Sequence, residues 1–292
     1  MTATRYIRNS EVGKFQRCMR SWYLGYHRNF EPNWGQRKFP ATYDTGTAVH
    51  AGLQAHYLGQ DPIAAIDLHA AEVEAHLDPM ADEKAWAKVW KMAKAMVEHY
   101  PAWLDAEGHD IGEETISLET QMEIEIVPGI VLYGTPDRIV RTPMGIIVED
   151  WKSVSRIERP FMLESNWQLL NYLMFAKMAF PGENIIGARH RQFNRSMHTA
   201  RATAPQYGQH MVHFVERRLE HHFRMMREVA VRMANMHEIM DWSDVPELDA
   251  LPTHIGQCSW DCSFASVCTL MDDGGDWEAV LEIDYRPRED NR

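Results

Sequence analysis

The sequence predicts an α/β chain in which a small mixed sheet carries a charged site and is flanked by helices. Three observations point there. Apolar residues recur every three or four positions in the N-terminal stretch, as at Phe15, Cys18, Trp22 and Tyr26. Between residues 115 and 152, runs rich in Ile and Val are punctuated by Pro128-Gly129 and Pro143-Met144, the pattern of strands and turns. Asp137 and the Asp150-x-Lys152 pair fall at the ends of two of those strands.

Alternation along the last strand sorts its charges. Ile146, Val148, Asp150 and Lys152 share one face, and Glu149 and Trp151 share the other. Asp150, not Glu149, is therefore the carboxylate that works with Lys152. A two-residue turn at Pro143-Met144 sets Asp137 opposite Asp150. Pro followed shortly by Gly145 also suits a type I turn with a bulge, which moves the pairing by one. Both registers stay open, as does an ordinary hairpin with solvent-facing charges. Two carboxylates and a lysine suit Mg²⁺, which takes a few carboxylates, several waters and phosphate oxygens. The lysine can align a metal-bound water and offset charge on a forming oxyanion.

In chain order, Ser10 reads as the N-cap of a helix through about Tyr26, followed by a looser stretch from Asn29 to Pro40. A second helix starts near Asp44 or Thr45 and runs to about Leu58; Asp61-Pro62 opens a third. Asp78-Pro79 breaks that one and opens a long amphipathic helix to about Ala106. Strands are expected over 115–127, 130–141 and 145–152, a helix over 159–180 and a strand over 184–193. An irregular stretch, 194–208, precedes a long helix over 209–240. No repeat or low-complexity segment is visible. The expectation is a single domain, 1–292, with a mainly helical region over 1–110, a catalytic core over 111–240 and a cysteine-bearing segment over 241–292.

Composition sets broad limits. With 45% hydrophobic and 25% charged residues, the chain has the makeup of a folded globular protein. It has no run of eighteen apolar residues and no apolar signal core at its start. A reducing cytoplasm is the expected setting, and there cysteines serve more often as metal ligands than in disulfides. The net charge is −12, yet residues 1–40 and 186–232 each carry a balance of +6. Nucleic-acid binding follows the local field rather than the total, so these stretches permit it.

Three further features carry chemistry. Gly46-x-x-x-His50 stands early in the second helix. Gln168 and Tyr172, four apart, share a helical face from which both can hydrogen-bond phosphates or bases. The four cysteines divide one plus three, Cys18 against Cys258, Cys262 and Cys268. Four thiolates hold either a tetrahedral Zn²⁺ or an iron–sulfur cluster. Structural zinc usually takes two close pairs, so this division leans to the cluster.

The succession GxxxH, Pro136-Asp137, Asp150-x-Lys152 and Gln168-x-x-x-Tyr172, enclosed by the cysteines, resembles the RecB-like branch of the PD-(D/E)XK nuclease superfamily. More narrowly it resembles the iron–sulfur exonucleases of that branch: CRISPR-associated RecB-like, AddB-like and phage enzymes. The likeness spans Cys18 to Cys268 with every element in order. It implies a restriction-endonuclease-like core and a metal–sulfur staple, a [4Fe-4S] cluster or alternatively zinc, joining the two ends of the chain. It implies that His50, Asp137, Asp150 and the Trp151 carbonyl hold Mg²⁺ or Mn²⁺, that Lys152 is catalytic, and that Gln168 and Tyr172 contact DNA. Glu119 stands where the family often has a glutamate. Ser259-Trp260-Asp261 separates the second and third cysteines, where the family usually has two residues.

The expected activity is metal-dependent exonucleolytic cleavage of DNA, on single-stranded ends. Arg189, Arg191, Arg195 and Arg201 are expected to line the strand's path, with Phe193 and Tyr207 stacking on bases. The competing readings are a DNA-end-binding or CRISPR-adaptation partner with little cleavage role, and a zinc-stapled interaction protein.

Overall fold

The computed structural model describes residues 4–33, 38–164, 166–197, 205–253, 258 and 262–288. The chain divides into two compact units. One gathers Met1–Trp34, Glu123–Gly134 and Arg224–Arg292; the other gathers Gly35–Met122 and Thr135–Phe223.

The first unit opens with β1 (Arg5–Arg8), α1 (Asn9–Arg17) and α2 (Met19–Trp22), then a π-helical turn, Tyr23–His27, and β2 (Phe30–Pro32). The single helix expected from Ser10 is interrupted at Cys18, whose backbone is extended at φ −159° and ψ 115°. The same unit contains β4 (Met122–Val127) from its second residue on, and β5 (Ile130–Gly134). β5 lies between β4 and β1, and runs parallel to β1.

The second unit holds α3 (Thr42–Tyr57), α4 (Pro62–Glu74), α5 (Glu83–Glu98), α6 (Tyr100–Glu107) and β3 (Glu114–Leu118). After the excursion through β4 and β5 come β6 (Arg138–Thr142), β7 (Gly145–Val154), α7 (Pro160–Leu163), α8 (Trp167–Ala179), β8 (Ile185–Asn194) and β9 (Tyr207–Val212). The chain ends with α9 (Glu216–Trp242), α10 (Pro246–Asp249), α11 (Ala265–Asp272), α12 (Trp277–Asp284) and β10 (Tyr285–Pro287), which pairs with β2.

Local chemistry accounts for the helix ends. The Asp61 carboxylate accepts the Ile63 and Ala64 amides, with Pro62 in the first turn of α4. Asp82 caps α5 in the same way, four residues after the expected start at Asp78. The helix expected to run on to Ala106 is broken at His99, the cap shared by α5 and α6. Pro101 causes the break, because it has no amide to donate and its ring crowds the preceding turn. Residues 207–212, of which 207–208 are expected as irregular and 209–212 as helix, form β9 instead. They cover the edge of β8, which would otherwise present unpaired backbone groups.

The five-stranded sheet has the order β3-β6-β7-β8-β9, with β7 and β8 parallel and the other pairs antiparallel. The expected mixed sheet with flanking helices is therefore present. Thr142 pairs with Gly145, so β6 and β7 join through a two-residue turn without a bulge. Gly145 is required there: its φ is +140°, and a Cβ would lie 2.1 Å from the Asn184 carbonyl oxygen. On one sheet face, Trp151, Phe193 and Tyr207 pack into a core with Val49, Leu53, Ile66, Trp86, Met96 and Tyr100 of α3–α6. α8 packs against β7 and β8. No described helix is long and apolar enough to cross a membrane.

Candidate active site

The two long strands expected over 115–127 and 130–141 are each broken, and the breaks fall at site residues. Glu119 follows β3 with a left-handed φ of +48°. Asp137 closes the Thr135-Pro136-Asp137 link before β6. The two are tied together, because the Glu119 amide donates to the Asp137 carbonyl at 3.0 Å. At this end of the β3–β6 pair Asp137 is buried and Glu119 half-buried.

α3 brings His50 to the same place. Gly46, one turn earlier, lets the helix approach β7, since a Cβ there would stand 3.3 Å from Ser153 Oγ. His50 Nδ1 lies 3.4 Å from a carboxylate oxygen of Glu119 and 3.4 Å from one of Asp137. His50 Nε2 lies 3.0 Å from the Trp151 carbonyl oxygen. One ligand atom each from His50, Glu119 and Asp137 fall within 4.8 Å of one another. A nitrogen, two carboxylates and a backbone carbonyl form a donor set suited to a hard divalent cation.

The charges are arranged around that set. Burial opposes protonation of His50, but Asp137 and Glu119 outweigh it and lift the imidazole to about 10. The proton on His50 therefore stands where a cation's charge would otherwise be felt. Burial holds the Asp137 carboxyl above its usual range, against the pull of His50. The other oxygen of Asp137 accepts the Trp151 amide, which fixes the carboxylate.

Asp150 is 1% exposed and is not part of the cluster formed by His50, Glu119 and Asp137. Lys152 Nζ donates to its Oδ1 at 2.8 Å, and His190 Nδ1 lies 3.0 Å from its Oδ2. Despite burial, Lys152 and His190 together pull the carboxyl down to about 2. Burial likewise opposes charge on Lys152, and Asp150 and Asp137 more than offset it, holding the ammonium above its ordinary range. His190 is a residue the sequence reading missed. It lies on β8 directly beside Asp150 in the parallel ladder, a relation that only the register reveals.

Gln168 and Tyr172 meet as expected on one face of α8, and Gln168 Nε2 donates to the Tyr172 hydroxyl at 2.9 Å. That hydroxyl in turn donates to the Thr135 carbonyl at 3.0 Å, so the pair steadies the link that carries Asp137.

The arginines differ from expectation. Arg189 and Arg191 are 4% and 1% exposed, on the sheet face opposite Asp150. With Arg138 they meet the carboxylates of Asp110 and Glu149; Arg189 and Arg138 also meet Glu113. Three cations against three anions make this a closed internal network, and neither Arg189 nor Arg191 faces a ligand. Phe193 and Tyr207 are core residues at 1% and 9% exposure, so they are not a stacking platform for bases. The Arg195 amide donates to the Val154 carbonyl at 2.8 Å, which continues the β7–β8 ladder. Arg201 lies outside the described residues.

In the first unit, Cys18, Cys258, Cys262 and Cys268 line one cavity of about 280 Å³. None is in a disulfide. The break at Cys18 matters here, since its Sγ accepts the Thr253 amide at 3.4 Å. Arg20, 4% exposed, places Nη1 3.5 Å from Cys268 Sγ while pairing with Asp272. Among the described residues no three of these thiols close to within 4.8 Å of one another. The expected staple is not formed as a closed ligand set.

No curated protein matches the chain. The solved structure "Crystal structure of SSO0001" aligns at 14% identity and a TM-score of 0.35, over 92% of this chain and 88% of that one. A profile of the PD-(D/E)XK nuclease superfamily matches residues 9–269, a span that takes in His50, Glu119, Asp137, Asp150, Lys152 and all four cysteines. The chain belongs to the PD-(D/E)XK nuclease superfamily.

Proposed function

We propose that this protein is a metal-dependent DNA exonuclease that acts on single-stranded ends. The observation that carries the reading is the convergence of His50, Glu119, Asp137 and the Trp151 carbonyl beside the Asp150–Lys152 pair. Bound Mg²⁺ or Mn²⁺ would neutralise phosphate charge and acidify a bound water. The remaining work falls to the side chains. Lys152 stays charged and donates to the oxygen on which negative charge develops. Asp150 fixes the direction of Lys152, and His190 fixes Asp150. Tyr172 and Gln168 keep Asp137 in place through Thr135. The preference for single-stranded ends is supported by resemblance to RecB-like exonucleases, since the buried arginines no longer argue for a threaded strand.

The test uses end-labelled linear single-stranded DNA and a covalently closed circle of the same sequence, each with Mg²⁺ or Mn²⁺. The linear strand should be degraded at least about tenfold faster. Equal rates would mean that no end is needed, and the protein would be an endonuclease. No cleavage of either with both metals would defeat the nuclease reading.

We also propose that the four cysteines hold a [4Fe-4S] cluster. What supports this is four free thiols around one cavity, no three of which lie within 4.8 Å of one another as a tetrahedral zinc would draw them. Anaerobically purified protein should be brown, with iron and sulfide in about equal amounts. Cys18→Ser should lose the colour and melt several degrees lower, because metal binding couples to folding. Colourless protein with one zinc per chain would replace the cluster by zinc.

A further inference from the structure

The first unit contains a second cavity, of about 290 Å³, that shares no residue with the cysteine cavity. Arg5, Arg8 and Arg288 converge on it, together with Tyr6, Tyr26 and Tyr133. Bringing three guanidinium groups to one cavity raises the local potential, and the described lining sets two carboxylates, Glu11 and Asp241, against them.

Arg5 and Arg288 make no ion pair with any described residue. The two carboxylates at the cavity are otherwise placed. Glu11 accepts the Trp22 indole at 2.9 Å and the Arg8 amide at 3.3 Å, with His237 at 3.4 Å. Asp241 faces His27 at 3.6 Å.

Two of the arginines are held in position by tyrosines. Arg8 Nε donates to the Tyr133 hydroxyl at 3.0 Å. The Arg288 guanidinium lies 4.3 Å from the centre of the Tyr26 ring, while its Nε reaches the Phe30 carbonyl. Stacking of this kind leaves guanidinium edges available and reduces the entropy lost when they engage a ligand. Planar guanidinium edges match phosphate oxygens in pairs. Tyr6, 38% exposed, stands edge-on to Tyr133 at 6.5 Å and gives the rim an aromatic face. Stacking of a base on such a ring is tolerant of sequence. The volume is at the small end of ligand cavities, in the range of a phosphate with its sugar and part of a base.

We propose that this cavity binds a phosphate group borne by a nucleotide or by a nucleic-acid strand. The identity of the carrier rests on the nuclease reading; the anion site itself does not. Arg5 and Arg288 supply the paired contacts, and Tyr6 supplies the face for an adjoining base. Gln168 and Tyr172 belong to the other unit, so this is a separate binding element.

The test measures binding in EDTA, so that cleavage cannot intervene. Inorganic phosphate, 5′-dAMP and a labelled single-stranded oligonucleotide are titrated into the full-length protein. The wild type should bind phosphate and bind dAMP more tightly. Arg5→Ala/Arg288→Ala should weaken both by about tenfold or more. Should the double variant not fold, Arg5→Lys and Arg288→Lys keep the charge but lose the paired contacts, and each should bind more weakly. A wild type that binds neither probe would overturn the site. So would wild-type affinity in a folded double-alanine variant or in both lysine variants. A parallel loss of oligonucleotide affinity assigns the phosphate to a strand; loss confined to dAMP assigns it to free nucleotide. Protein that binds phosphate here yet cuts no DNA would defeat the nuclease reading and leave this site standing.

Discussion

Asp150→Ala, Lys152→Ala and Asp137→Ala should each lower the rate of DNA cleavage by roughly 10³-fold or more in a protein that still folds. Each removes a different component of one unit. On the proposed reading, Asp137 would carry the cation with His50 and Glu119, and Lys152, which donates to Asp150, would meet the developing charge. Groups acting together lose most of their effect when any one is removed, so the double variant should be scarcely worse than the single ones. His190→Ala should cost less, about 10- to 100-fold, because it acts through Asp150. Single-turnover cleavage, with far-UV dichroism as the folding check, decides the matter. A folded Asp150→Ala protein that cuts at near the normal rate would remove Asp150 from the site.

Arg191→Ala should destabilise the fold by about 3–5 kcal/mol, because it removes one of the three cations that Asp110 and the buried Glu149 share. Glu149 is fully buried and has Arg138, Arg189 and the Trp151 indole around it as well. The remaining two arginines cannot balance three carboxylates. Urea unfolding monitored by tryptophan fluorescence measures the effect. The fraction that stays folded should bind DNA as the wild type does. A variant of unchanged stability and lost DNA affinity would restore the sequence-based role of Arg191 as a strand contact.

The contrast between these two groups of residues shows what a sequence can disclose. Asp150 and Lys152 were legible because two-residue alternation is a local rule that survives folding, and the same alternation set Glu149 and Trp151 on the other face. Asp137 and His50 were legible from their spacing and order. His190 was not, because its place beside Asp150 depends on a parallel ladder between strands separated by all of α8. Arg189 and Arg191 were misread for a related reason. Counting charge treats arginine as solvated, yet β8 lies inside the sheet once β9 covers its edge. Residues 207–212 carry a glycine and mixed polarity, so their strand was hidden, and with it the burial of the arginines. Their partners Asp110, Glu113 and Glu149 come from separate stretches of chain that only the fold assembles.

The chain passes between its two units four times, and this bears on its synthesis. Every residue of the second unit has left the ribosome once Phe223 is made and cleared. The first unit still lacks its last segment, Arg224–Arg292, and with it three of its four cysteines. Domains tend to fold as they emerge, so the sheet bearing Asp137 and Asp150 is complete in sequence before the cysteine cavity can exist. A nascent chain stalled near Phe223 would carry every residue proposed here for the cation and for Lys152, with the β1-β5-β4 sheet complete in sequence and β2 still lacking its partner β10. The cysteine cavity can therefore form only after the residues of the candidate site have all been delivered.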